Sequence, residues 1–153
     1  MKKLIILLFA AIGSTTIFAT TVPKVEPDGL AKIERIFHHD FPEVNNSSIT
    51  KAGNFYIVSF KKEANQSLCK VFYDKNGNTV QTIRYYEGDK LAPFIRSKIR
   101  SKYEGKSIFM VTEVASENEH YYEVMLQDAQ SLWVVHAIDD GTMYIQKKFK
   151  RNS

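Results

Sequence analysis

Three short stretches carry residues with chemical potential. His38-His39-Asp40 offers two imidazoles and a carboxylate, the ligand types of a zinc site. Neighbouring residues on a helix point about 100° apart, so His38 and His39 do not converge on one ion. Cys69 is the only cysteine, so no internal disulfide forms and a thiol is left that could act with a histidine as a nucleophile. It alternates with Val71 and Tyr73 along an apolar strand, which makes it a buried, inert thiol. Asp74-Lys75-Asn76-Gly77-Asn78 has the oxygen groups of a calcium loop. Counted from Asp74, the sixth residue is Thr79 where glycine is needed, and the twelfth is Tyr85 where a bidentate glutamate is needed. The stretch is therefore a hairpin turn, with Asn-Gly supplying the positive backbone angles. His120 and His136 fall on separate strands. No serine sits in a nucleophile elbow, and the glycines are isolated at turns and not gathered in a phosphate loop. No catalytic residue, metal ligand or cofactor is expected.

What the chain must position is instead a set of aromatic and apolar side chains on strands. Its organising unit occurs twice. Ser67-Leu68 to Asn76-Gly77 and Ser131-Leu132 to Asp140-Gly141 both open on Ser-Leu, run through β-favouring residues and close on a glycine turn. Ser131 and Gly141 each follow their counterparts by 64 residues, so no gap falls inside the unit. Upstream, Leu30, Ile33, Ile36, Phe37 and Phe41 form one helical stripe that Pro42 ends. Leu91, Phe94, Ile95, Ile99 and Tyr103 form a second, with Pro93 in the first turn and Gly105 at the end. Between helix and turn each copy has two further strands: 48–51 and 54–60, then 108–114 and 120–126. Return strands follow at 79–86 and 143–149. The fold class is α+β: two tandem helix-plus-four-strand repeats, residues 30–88 and 89–149, forming one antiparallel eight-stranded sheet with both helices on one face.

The ends lie outside that unit. Met1-Lys2-Lys3, the apolar run Leu4–Ile12 and the small residues up to Ala19 have the order of a secretory signal, cleaved after Ala19. The run is shorter than the ~20 residues of a bilayer span. Export to the periplasm or beyond follows, with no stable membrane insertion after cleavage. Residues 20–29 are an extended lead-in and 150–153 a tail. Loss of Lys2 and Lys3 lowers the formal charge from +4 to +2, too little to imply nucleic acid.

Phe41-Pro42, Tyr56-x-Val58-x-Phe60, Val71-x-Tyr73-Asp74-x-x-Gly77, Tyr103-x-Gly105 and Tyr122-x-Val124-x-Leu126 together resemble the PepSY-like proteins of Gram-negative bacteria. The fold of that family is similar to the secreted β-lactamase inhibitor protein. The likeness spans residues 30–149 and departs at Ile138, which stands where the first copy has Asp74. It implies an exported, non-enzymatic binding or inhibitory module without catalytic residues.

Alternation places Tyr56, Val58 and Phe60, and their counterparts Tyr122, Val124 and Leu126, under the helices. The opposite face then carries Phe55, Ile57, Phe72, Tyr121, Met125 and His136. A face this apolar either meets a protein or peptide partner, the leading expectation, or is covered by loops. A homodimer of a self-associating envelope structural or stress protein is the alternative, and a hydrolase assembled from scattered His, Asp and Cys a second one.

Overall fold

The computed structural model describes residues 27–62 and 67–151. The export signal, its cleavage point and residues 20–26 lie outside the described residues. The chain runs α1 (Pro27–Asp40), β1 (Ser47–Ala52), β2 (Phe55–Lys62), β3 (Ser67–Tyr73), β4 (Thr79–Tyr86), a short 3-10 turn (Gly88–Lys90), α2 (Pro93–Lys102), β5 (Ser107–Ser116), β6 (His120–Gln127), β7 (Ser131–Ile138) and β8 (Met143–Lys150). All eight strands form one sheet in sequence order, and every neighbouring pair is antiparallel. The expected two-repeat sheet is thus the observed one, joined edge to edge through β4 and β5.

Each helix covers its own unit. Ile33 and Phe37 of α1 are fully buried against Tyr56, Val58, Phe60, Cys69, Val71 and Tyr73. Ile95 and Ile99 of α2 are buried with Leu91 and Tyr103 against Val111, Tyr122, Val124, Leu126, Val135 and Ala137. Each large apolar side chain so buried contributes about 1.5–3 kcal/mol, which fixes the register, because a one-residue slip would exchange the faces.

The two turns superimpose in their bonding. Gly77 N–H donates to Asp74 O and Gly141 N–H to Ile138 O, at 3.0 and 2.9 Å. Asp74 N–H donates to Asn78 O and Ile138 N–H to Thr142 O, at 2.9 and 3.0 Å. Both glycines sit at positive φ, 89° and 86°, which explains their identity. Ile138 therefore replaces Asp74 without changing the turn.

Three details differ from the sequence reading. The first helix takes in Pro27–Gly29, because a proline in a first turn forfeits no helical hydrogen bond. The 3-10 turn between the units is an added element. It lets Gly88 lie so close to Ile108 that a Cβ there would fall 2.4 Å from its side chain. Phe94 is not core: it is 53% exposed, one position off the buried Ile95–Ile99 line, and its ring edge lies beside Gly141 of the last turn, 3.1 Å from where a Cβ there would stand.

Where the units meet, the helix-covered face changes from apolar to polar. Arg84 of β4 lies opposite Glu113 of β5, their side chains 3.5 Å apart. Tyr86 Oη donates to Glu113 Oε2 at 2.6 Å. His120 lies between two carboxylates, with Nδ1 2.6 Å from Asp139 and Nε2 3.4 Å from Glu113. Tyr122 Oη donates to the other oxygen of Asp139 at 3.1 Å. Burial, then the hydrogen bond to Asp139, pushes the Tyr122 phenol up to about 12.

Candidate functional site on the open sheet face

All six expected partner-facing residues lie on the face away from the helices, but the strand registers divide them. Ile57 pairs with Phe72 across β2 and β3, with Phe55 two residues further along β2. Tyr121, Met125 and His136 belong to β6 and β7. Phe55 and Tyr121 stand four strands and four residues apart in register, roughly 19 Å across the strands and 13 Å along them. They occupy two ends of one face and not one spot.

What joins them is a cross-strand row. Lys70, Ile83, Val114, Tyr121 and Ile138 are successive partners from β3 to β7. Val114 is the buried member, 5% exposed. A second row runs Leu68, Tyr85, Thr112, Glu123, His136 and Tyr144. Exposed apolar side chains on this face include Phe55, Leu68, Tyr144 and Phe149, at 43, 46, 55 and 48%. Sequence reasoning passed over Tyr144, although the alternation of β8 from the buried Met143 points to it.

The second unit gives the face its most organised feature. The ring of His136 stacks between Tyr121 (centroids 4.7 Å apart, planes 28° apart) and Tyr144 (4.9 Å, 25°). These rings and the adjacent hairpin ends line an open depression of about 680 Å³. Glu119, Glu123, Asp139 and Asp140 also line it, and no lysine or arginine does. The Tyr121 phenol is raised by burial and by the charges of Glu123 and Glu119.

The other singled-out residues lie elsewhere. His38 and His39 are exposed on α1, with His39 Nδ1 3.0 Å from its neighbour Asp40. Cys69 is 5% exposed, its sulfur 3.7 Å from Ser67 Oγ. Among the described residues no group of three or more His, Cys, Asp and Glu converges as a metal site, and no helix is long and apolar enough to cross a membrane.

With this geometry in hand, likeness to other proteins is found at the level of structure. No family model and no curated protein matches the chain. A DUF2874 family protein from Bacteroides ovatus superposes with a TM-score of 0.62 at 15% identity, covering 83% of this chain and 89% of its own. A BLIP-like protein from Bacteroides fragilis gives 0.62 at 14%, covering 80% and 88%. A Bacteroides eggerthii chain, provisionally named as periplasmic, gives 0.62 at 11%, covering 83% and 90%. At these identities the shared property is the fold, a BLIP-like one. The narrower PepSY-like resemblance has no family-model support.

Proposed function

We propose that this chain is an exported, non-enzymatic binding module that captures a protein or peptide on the open face of its sheet. The observation that carries this is the asymmetry of the sheet. Both helices cover one face, while the other presents Phe55, Leu68, Tyr144 and Phe149 half-exposed around the apolar row Ile83, Val114, Tyr121 and Ile138. Large contiguous apolar surface on a monomer marks an interaction site. The BLIP-like and periplasmic names of structural neighbours agree with an exported binding role. So does the signal-like order of residues 1–19.

The test uses the chain expressed with its first 19 residues. Intact mass should show a periplasmic product beginning at Thr20, and that product should capture a specific partner from periplasmic extract. Phe55→Ala combined with Tyr121→Ala removes one aromatic from each end of the face. Aromatic anchors contribute ~2 kcal/mol or more each when central to an interface. The double variant should keep its far-UV spectrum and melting temperature but lose capture. If it dissociates a homodimer instead, the face serves self-association. A variant that folds and captures as before would remove the open face from consideration.

A further inference from the structure

The depression in the second unit has a chemistry of its own. The ring spacings along Tyr121, His136 and Tyr144, 4.7 and 4.9 Å, match the ~4.8 Å between strands. The rings therefore stand as successive plates rising from β6, β7 and β8. Since β8 is the sheet edge, no strand among the described residues covers the far side of Tyr144, which is 55% exposed. The next member of such a series is another planar group. Aromatic faces attract cations, and of the two side chains charged throughout the neutral range, arginine presents a planar guanidinium that stacks while lysine presents a compact ammonium.

The surrounding charge selects the same group. Glu123 stands beside His136 in the same cross-strand row, and Glu119 lines the same depression. Among the described residues neither carboxylate has a hydrogen-bond or ion-pair partner. Asp140 adds to the negative potential; Asp139 is taken up by His120 and Tyr122, and no lysine or arginine lines the space. This local excess of carboxylates sits in a chain whose formal charge is +4. Among the described residues these carboxylates do not converge as a metal site. The depression is also continuous with the apolar row Ile83, Val114, Tyr121 and Ile138, which a free amine would leave uncovered. At the other end of β8, Lys147, Lys148 and Lys150 repel further positive charge, confining the basic part of any ligand to the Tyr144 end.

We infer that this depression is a binding site for an arginine side chain presented by a basic segment of a partner protein. The guanidinium stacks on Tyr144 or over the three-ring series, Glu123 and Glu119 neutralise the charge, and the flanking residues of the segment lie on the apolar row. This rests on the open face being a docking surface and names the partner's chemistry there.

The experiment titrates the ¹⁵N-labelled mature chain with three acetylated pentapeptides, Gly-Arg-Gly-Arg-Gly and its lysine and citrulline versions. The arginine peptide should give saturable shifts confined to Tyr121, Glu123, His136, Tyr144 and their neighbours. It should bind at least threefold more tightly than the lysine peptide, and the neutral citrulline peptide should not bind. Tyr144→Ala and Glu123→Gln should each weaken binding about fivefold or more with unchanged melting, while Phe55→Ala leaves it intact. Equal binding of arginine and lysine peptides, shifts spread over carboxylates elsewhere, or wild-type affinity in both variants would overturn the site. So would a homodimer that Tyr144→Ala dissociates, since the occupant would then be a second copy. An unbiased peptide library panned on the same protein separates the two readings. Arginine-free winners that require Phe55 and Tyr121 would leave the docking face standing and remove the arginine site. No winners, together with no arginine-peptide binding, would remove both.

Discussion

The first unit and the second share a backbone plan and differ in what they do with it. In the first, the core under α1 is aromatic: Phe37, Phe41 and Phe60 meet pairwise with centroids 5.0–5.1 Å apart. In the second, Ile99 and Leu126 stand where the first has Phe37 and Phe60, and Tyr103 stands where it has Phe41. Trp133, which replaces Cys69, is clasped between Lys106 and Lys148, whose ammonium groups lie 3.9 and 4.1 Å from its ring centroid. Lys106 also reaches Asp128 and Ser131. The open faces differ too. Lys70 lies over Tyr85 in the first unit, 5.9 Å from its ring centroid. In the second, Glu119 and Glu123, whose carboxylates have no partner among the described residues, line the depression beside a three-ring stack. The plan depends on which positions are apolar and where the turns fall, so it tolerates exchange of the individual core side chains. The chemistry of the open face is not constrained by the helices and has diverged furthest.

The largest effects should come from the matched helix positions. Phe37→Ala and Ile99→Ala each empty a fully buried site. Phenylalanine loss should cost about 3–5 kcal/mol and isoleucine loss about 2–5 kcal/mol. Denaturant melts followed by far-UV circular dichroism would give both values. A single transition for both variants would show that the β4–β5 joint couples the units. Two transitions in either variant would show units that unfold separately, and the comparison would then be one between two domains.

A smaller difference should separate the turn aspartates. The Asp74 carboxylate accepts from Asn76 N–H and Asn78 N–H, both at 2.8 Å, and from the Asn78 side-chain amide at 2.9 Å. The side-chain amide of Asn78, then its backbone N–H, holds the carboxyl below the usual range. Ile138 has no such group. Asp140 accepts the Thr142 N–H at 2.6 Å, and that bond holds it low as well. Asp74→Ala should therefore lower the melting temperature more than Asp140→Ala at pH 7. A carboxyl lowered on folding stabilises above its unfolded value and loses that contribution as pH falls through the folded one. Both differences should shrink toward pH 3 in thermal melts. An Asp140→Ala loss equal to or larger than the Asp74→Ala loss would mean that the second turn is held by its side chains as tightly as the first.

Much of this division is legible in the residues. The 64-residue spacing, the alternations Tyr56-Val58-Phe60 and Tyr122-Val124-Leu126, and the glycine turns specify the sheet and the face that the helices cover, because burial and positive φ admit few residue types. Phe94 departs from the expected stripe, because an apolar residue one position off a helical stripe fits the pattern as well as a buried one does. The site was only half legible. Phe55 and Tyr121 occupy equivalent strands, yet their separation depends on every intervening register. Nor does any local pattern announce that Arg84 meets Glu113, or that His120 reaches Asp139. Those meetings depend on the β4–β5 pairing and on the way the hairpin ends fold over.

The smallest effect should appear at the joint, and it should depend on pH. Burial opposes charging of His120. Its hydrogen bonds to Asp139 and then Glu113 outweigh that, and the imidazole ends above its usual 6.5. A histidine raised on folding contributes stability that is fully present below its unfolded value and is lost as pH rises through the folded one. His120→Gln keeps a polar side chain but cannot carry the charge between the two carboxylates. The variant should therefore be less stable than the parent at pH 5.5, with the gap narrowing steadily above pH 6.5 and small by pH 9. The ring is partly exposed, so solvent screening keeps the effect small. Its direction is the useful quantity. Denaturant midpoints for the two proteins across that range would show it, and salt should reduce it. A gap that is constant with pH would mean that His120 serves by packing against Tyr122, 5.1 Å away between ring centroids. A gap that widens with pH would mean that the neutral imidazole is the stabilising form. The joint between the units would then be held by Tyr86, Tyr122 and their carboxylates alone.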